Sequence, residues 1–161
     1  MPRLATRTVF VIDLQSLTMT NNSPFVQSGA GIGDEISTLE MKYGESQIAE
    51  GHLITFPNPR VGRRYDIHIT LPEFTCKCPF SGYPDFATIG IIYVPDQKVV
   101  ELKALKLYIN SFRDRYISHE EVTNQILDDF VAIADPHQIT VRADFSPRGN
   151  VHMIVEVKHE K

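Results

Sequence analysis

From Tyr65 to Leu71 apolar and polar residues alternate, with Tyr65, Ile67, Ile69 and Leu71 on one side and Asp66, His68 and Thr70 on the other. That two-residue period predicts a half-buried strand. Phe86 to Tyr93 is a more continuous apolar run, rich in β-branched residues and closed by the Pro95-Asp96 turn signal, and it predicts a second strand paired with the first. The period then changes. Leu102, Leu105, Ile109 and Phe112 recur at helical spacing, so Glu101 to about Arg113 reads as an amphipathic helix. Ser118 followed by Glu121 is a capping-box pattern that opens a second helix through Val122, Ile126 and Phe130, and Asp135-Pro136 stops it. Two alternating strands close the chain: Ile139, Val141, Ala143 and Phe145 share a face, as do Val151, Met153, Val155 and Val157. The Pro147-Arg148-Gly149-Asn150 turn joins them as a hairpin.

The order strand-strand-helix-helix-strand-strand predicts an α+β fold in which an antiparallel sheet carries two helices on one face. A small open sheet has two edges that invite pairing between subunits, and a closed oligomeric barrel would remove them. Residues 1–40 hold Ser, Thr, Asn and Gly clusters (TMTNNS, SGAGIGDE) without sustained periodicity, which predicts a flexible N-terminal extension before a folded domain over 41–161. The apolar run from Thr8 to Leu14 is broken by Asp13 and is too short for a signal peptide. No stretch approaches the roughly 18 apolar residues of a membrane helix, so no membrane partner is expected.

Composition adds two constraints. The chain has 161 residues, 42% of them hydrophobic and 22% charged, as in an ordinary soluble domain, and its formal net charge is −4. That charge argues against direct nucleic-acid binding and favours a free small-molecule substrate. The two cysteines, Cys76 and Cys78, stand too close in sequence to close an unstrained disulfide, which points to a reducing cytoplasm.

Candidate chemistry concentrates in FTCKCPFSGYPDFAT, residues 74–88, read as a strand-flanked loop holding Cys78, Ser81 and Asp85. As a thiolate, Cys78 would add to an electrophilic carbon, and Asp85 would give or take the accompanying proton. Residue type alone favours Cys78 as a small core residue and Asp85 as a turn residue. A zinc site built from Cys76 and Cys78 with His119 or His52 is a further alternative, with a spacing unusual for metal ligands. Lys103 and Lys106, three apart on one helical face, would suit a phosphorylated cofactor or merely form a solvated face. Glu120, beside His119 in the first turn of the second helix, is either a helix-start stabiliser or an acceptor for a guanine-like edge. Arg148 is a turn cation or a phosphate ligand.

Taken in order, FTCKCPFSGYPDFAT, VVELKALKLYINSF, SHEE and FSPRGN closely resemble the short, single-domain 7-cyano-7-deazaguanine reductases of the queuosine pathway, over roughly residues 41–158. The signature E-[SL]-K-[SA]-L-K-L-Y is complete. The resemblance implies the tunnelling fold, with subunit sheets joined into a barrel and sites between subunits, and a homodecamer of two pentamers. It implies NADPH as cofactor and 7-cyano-7-deazaguanine as substrate, the nitrile becoming an aminomethyl group through a cysteine thioimide, with no resident metal. By motif position, Cys78 is then the nucleophile and Asp85 the proton donor. His119, Glu120 and the segment Val100, Glu101 and Leu102 bind substrate, while Lys103, Lys106 and Arg148 bind NADPH. The chain departs from the family's usual pattern at Tyr83, often Gln, and has Leu102 where Ser also occurs. Rivals are a transferase of the same superfamily that adds ammonia to a nitrile in tRNA, a zinc-dependent cyclohydrolase, and a non-catalytic purine- or pterin-binding module.

Overall fold

The computed structural model describes residues 43–161. The predicted extension over 1–40 lies outside them. Helix α1 is Tyr43–Ala49, followed by β1 (Thr55–Pro57), β2 (Ile67–Lys77), β3 (Pro84–Val94) and β4 (Lys98–Val100). Then come α2 (Leu102–Asn110), α3 (His119–Ala134), β5 (Gln138–Arg148) and β6 (Val151–Glu160). The four long strands form one antiparallel sheet in the order β2-β3-β5-β6, while β1 and β4 make a separate short pair.

One face of the sheet is apolar and covered. Phe74, Ile89, Ile91, Tyr93, Ile139, Val141, Ala143 and Phe145 are buried there against Leu105, Tyr108 and Ile109 of α2 and Val122, Ile126 and Phe130 of α3. Alternation therefore placed the sheet's inner face correctly, because a residue's side follows from its parity along the strand. Both ends of α3 follow its sequence, whereas α2 stops at Asn110, short of the expected Arg113. The Ser118 hydroxyl accepts from the Glu121 N–H, and Asp135 closes α3 in the left-handed region with φ 45°. Gly149 and Asn150, with φ 55° and 71°, make the two-residue turn between β5 and β6 whose twist suits a hairpin.

Three expectations change. The segment read as a loop over 74–88 is mostly strand: β2 runs on through Cys76 to Lys77, and β3 already starts at Pro84. Pro72 and Glu73 hid this, since they interrupt the alternation where the β2–β3 register shifts between Leu71 and Phe74. Leu102 does not share the buried face of α2. It is 62% exposed, because Glu101 is the cap rather than the first helical residue and Leu102 begins the helix on its outer side. The β1–β4 pair has only three residues per strand, too few for a period to declare itself.

Candidate active site

The chemistry collects where β2 hands over to β3. Only Cys78–Tyr83 lies between the strands, and the Cys78 N–H donates to the Tyr83 carbonyl (2.8 Å) while the Gly82 N–H donates to the Cys78 carbonyl (2.9 Å). Gly82, at φ 72°, supplies the positive φ this closure needs. Ser81 fastens the loop further, its hydroxyl oxygen accepting from the Tyr83 N–H at 3.3 Å. The Ser81 hydroxyl and the backbone N–H groups of Ser81 and Phe80 also face the Cys78 sulfur and hold its thiol below the ordinary value, with burial and the Asp85 charge acting in opposition. A thiol so placed is deprotonated more readily, and the thiolate is the reactive form of cysteine.

Cys76 contrasts with it. It is 0% exposed on the inner face, directly across from Asp85 in the β2–β3 register. Burial, aided by the charge of Asp85, pushes its thiol up to about 12. Among the described residues, no three His, Cys, Asp or Glu side chains converge as a metal ligand set.

Asp85 is only 8% exposed, and both of its oxygens are taken. His119 Nε2 lies 3.3 Å from Oδ2, and the Arg148 guanidinium pairs with Oδ1. His119 arrives here because the segment before α3 joins the end of β2: Lys77 N–H donates to Arg115 O (2.9 Å) and Ile117 N–H to Lys77 O (3.0 Å). Its ring is stacked on Phe145, with centroids 3.7 Å apart and planes 12° from parallel, and Nδ1 lies 3.4 Å from the Met153 sulfur. Phe145 in turn meets Phe74 edge-on at 6.3 Å, so the core sets the imidazole's angle. Phe145 and Met153 were legible as core positions only, since nothing in a strand pattern separates a core side chain from a shelf under a functional one.

The remaining predicted residues divide between this cluster and the far end of β2. Glu120 is exposed in the first turn of α3, beside His119. Val100, Glu101 and Leu102 line an apolar groove with Phe56, Ile67 and Ile69, at the opposite end of β2 from Cys78. The eleven-residue strand between these ends spans about 33 Å. Glu101 is occupied as the cap of α2, accepting from the Lys103 N–H (2.9 Å) and the Ala104 N–H (2.7 Å), which holds its carboxyl below the usual range. Lys103 and Lys106 are exposed, and among the described residues neither has an ion-pair partner within 4.0 Å. Arg148, expected at the cofactor, contacts Asp85 and donates to the Pro84 carbonyl at 2.7 Å.

Together the fold and this cluster define an α+β protein with a lowered thiol beside a buried, doubly held carboxylate. The family model described as QueF-like protein matches residues 84–161. A protein from Trichormus variabilis named NADPH-dependent 7-cyano-7-deazaguanine reductase is 73% identical over 143 residues, covering 89% of this chain and all of the relative. One of the same name from Acaryochloris marina is 81% identical over 124 residues, 77% of this chain and 86% of the relative. The chain belongs to this family of NADPH-dependent 7-cyano-7-deazaguanine reductases. A crystal structure of the archaeosine synthase QueF-Like in the apo form shares the fold, with a TM-score of 0.54 and 22% identity over 62% of this chain and 95% of the other. No helix among the described residues is long and apolar enough to cross a membrane.

Proposed function

We propose that this protein reduces the nitrile of 7-cyano-7-deazaguanine to an aminomethyl group with NADPH, Cys78 carrying the substrate as a thioimide. The observation that carries the reading is the tight loop that holds Cys78, closed by Ser81 and Gly82, next to the end of β3 where the buried Asp85 is held by His119 and Arg148. A nitrile carbon accepts the thiolate only as its nitrogen gains a proton, so addition forms one S–C bond, opens one C–N π bond and moves the thiol proton of Cys78 to that nitrogen by way of the Asp85 carboxylate. Nothing leaves in this step.

His119, held flat by Phe145, and Glu120 next to it supply polar contacts for the heterocycle, with the Glu120 carboxylate suited to two donors of a guanine-like edge. The Val100–Leu102 groove, about 33 Å along the sheet from Cys78, completes such a site only from a neighbouring subunit. A homo-oligomer, a decamer of two pentamers with the sheets closed into a barrel, fits that separation. It also fits the open edges of β2 and β6 and the exposure of Phe80, 96%, at the tip of the Cys78 loop. The free ammonium groups of Lys103 and Lys106 suit the phosphates of NADPH, which when bound supplies hydride, two being needed from nitrile to amine. The reducing cytoplasm keeps Cys78 a thiol.

The test is intact-protein mass spectrometry with the nitrile and no NADPH. The protein mass should rise by one whole substrate, NADPH should discharge the adduct as the amine, and Cys78→Ala should abolish it. Folded protein that neither gains the mass nor oxidises NADPH with the nitrile refutes the reading.

A further inference from the structure

The hairpin turn between β5 and β6 delivers a cation to the acid of the site. Between Phe145 and Arg148 the β5–β6 register shifts, and such an irregularity re-aims the side chains that follow it. In β3, Ala87 faces Phe145, so the residues beyond Phe145 flank Asp85 and Pro84. Arg148 uses this position fully. One guanidinium nitrogen pairs with Asp85 Oδ1 and donates to the Pro84 carbonyl at 2.7 Å, and the guanidinium carbon stands 5.7 Å from the centre of the Tyr83 ring. The other Asp85 oxygen faces His119 at 3.3 Å. The charged and titratable groups around Asp85 are therefore Arg148 from β5, His119 from α3 and the two thiols Cys76 and Cys78.

We propose that Arg148 is a positioning residue for Asp85, needed for proton delivery to the nitrile, and not a ligand of the cofactor's phosphates. The proposal rests on the function given above. Its logic is the movement of charge during thioimide formation. The Asp85 carboxylate takes the Cys78 thiol proton as the thiolate forms, passes it to the nitrile nitrogen as the S–C bond forms, and ends as the carboxylate it began as. A fixed cation on one oxygen holds the carboxyl in a single orientation through both transfers and needs no rearrangement when its charge returns. Arg148 occupies that place at Oδ1. With His119 on Oδ2, it holds both oxygens of the carboxyl and so fixes its rotation. Tyr83 adds an aromatic face beside the guanidinium.

The experiment separates this role from a cofactor role by measuring the two steps apart. Full-length wild-type, Arg148→Gln and Arg148→Lys proteins are mixed with 7-cyano-7-deazaguanine without NADPH, and adduct formation is followed by intact mass. NADPH affinity is titrated separately by fluorescence, and folding is checked by circular dichroism. Loss of a charge-assisted contact at the acid should slow adduct formation about ten- to a hundredfold in Arg148→Gln, with NADPH affinity within about twofold of wild type. Arg148→Lys, which keeps the charge but not the planar group, should recover part of the rate, and it carries the test if the Gln variant does not fold. Adduct formation at the wild-type rate combined with weakened NADPH binding, in either variant, overturns the proposal and returns Arg148 to the cofactor. If folded wild-type protein forms no adduct, the functional reading itself has failed and the proposal falls with it.

Discussion

Folded protein treated with iodoacetamide at pH 8 should lose Cys78 first and Cys76 last. Burial pushes the Cys76 thiol up to about 12, so about one molecule in ten thousand carries that thiolate at pH 8. Cys78 is held below the ordinary 9.0 by Ser81 and Phe80, which leaves more than about one thiol in ten in the reactive form. Population alone thus favours Cys78 about a thousandfold. The more basic thiolate is the better nucleophile, but nucleophilicity rises less than half as fast as basicity, so this returns only part of that factor to Cys76 and the margin stays with Cys78. Burial increases the margin, because Cys76 has no exposed surface and reacts only when β2 opens. The assay is a time course quenched with excess thiol, digested, and read by mass spectrometry of the peptide carrying both cysteines, with fragmentation locating the label. Labelling of Cys76 at a rate comparable to Cys78 in protein that keeps its native circular dichroism would refute the assignment of burial and thiol activation.

Other outcomes follow from the same geometry. Ser81→Ala removes the first-named contact that lowers the Cys78 thiol; the inflection of alkylation rate against pH should move upward, so labelling at pH 7 slows, while Ser81→Thr should keep the wild-type profile. Phe145→Ala deletes a buried ring that supports both Phe74 and His119; urea denaturation should show a loss of about 3–5 kcal/mol, and an unchanged midpoint would contradict the packing described. Lys103→Glu with Lys106→Glu should weaken NADPH binding at least about tenfold, judged from replacing attraction by repulsion at two phosphate contacts. Adduct formation without NADPH should stay unaffected in that variant, and a slowed adduct step would show that these lysines serve the substrate instead.

Periodicity determined by itself the order of long strands and helices, the inner face of the sheet, the cap at Ser118 and the stop at Asp135, because each depends on residues within a few positions of one another. Residue type alone left Cys78, Asp85, His119 and Glu120 open between structural and chemical roles, and only the resemblance of their motifs to the family singled them out. Only the tertiary structure decided what those residues meet. That Cys76 faces Asp85 across two strands depends on β2 continuing past Pro72 and Glu73, which local alternation denies. That His119 stands at Asp85 depends on Lys77 pairing with Arg115 and Ile117, a contact across almost forty positions of chain. Arg148 shows the difference most clearly. A cation after a proline in a turn is equally suited to a phosphate or a carboxylate, since both present anionic oxygens to a guanidinium. The register shift at the end of β5 brings it to Asp85, 63 positions earlier in the chain, and no local pattern carries that information.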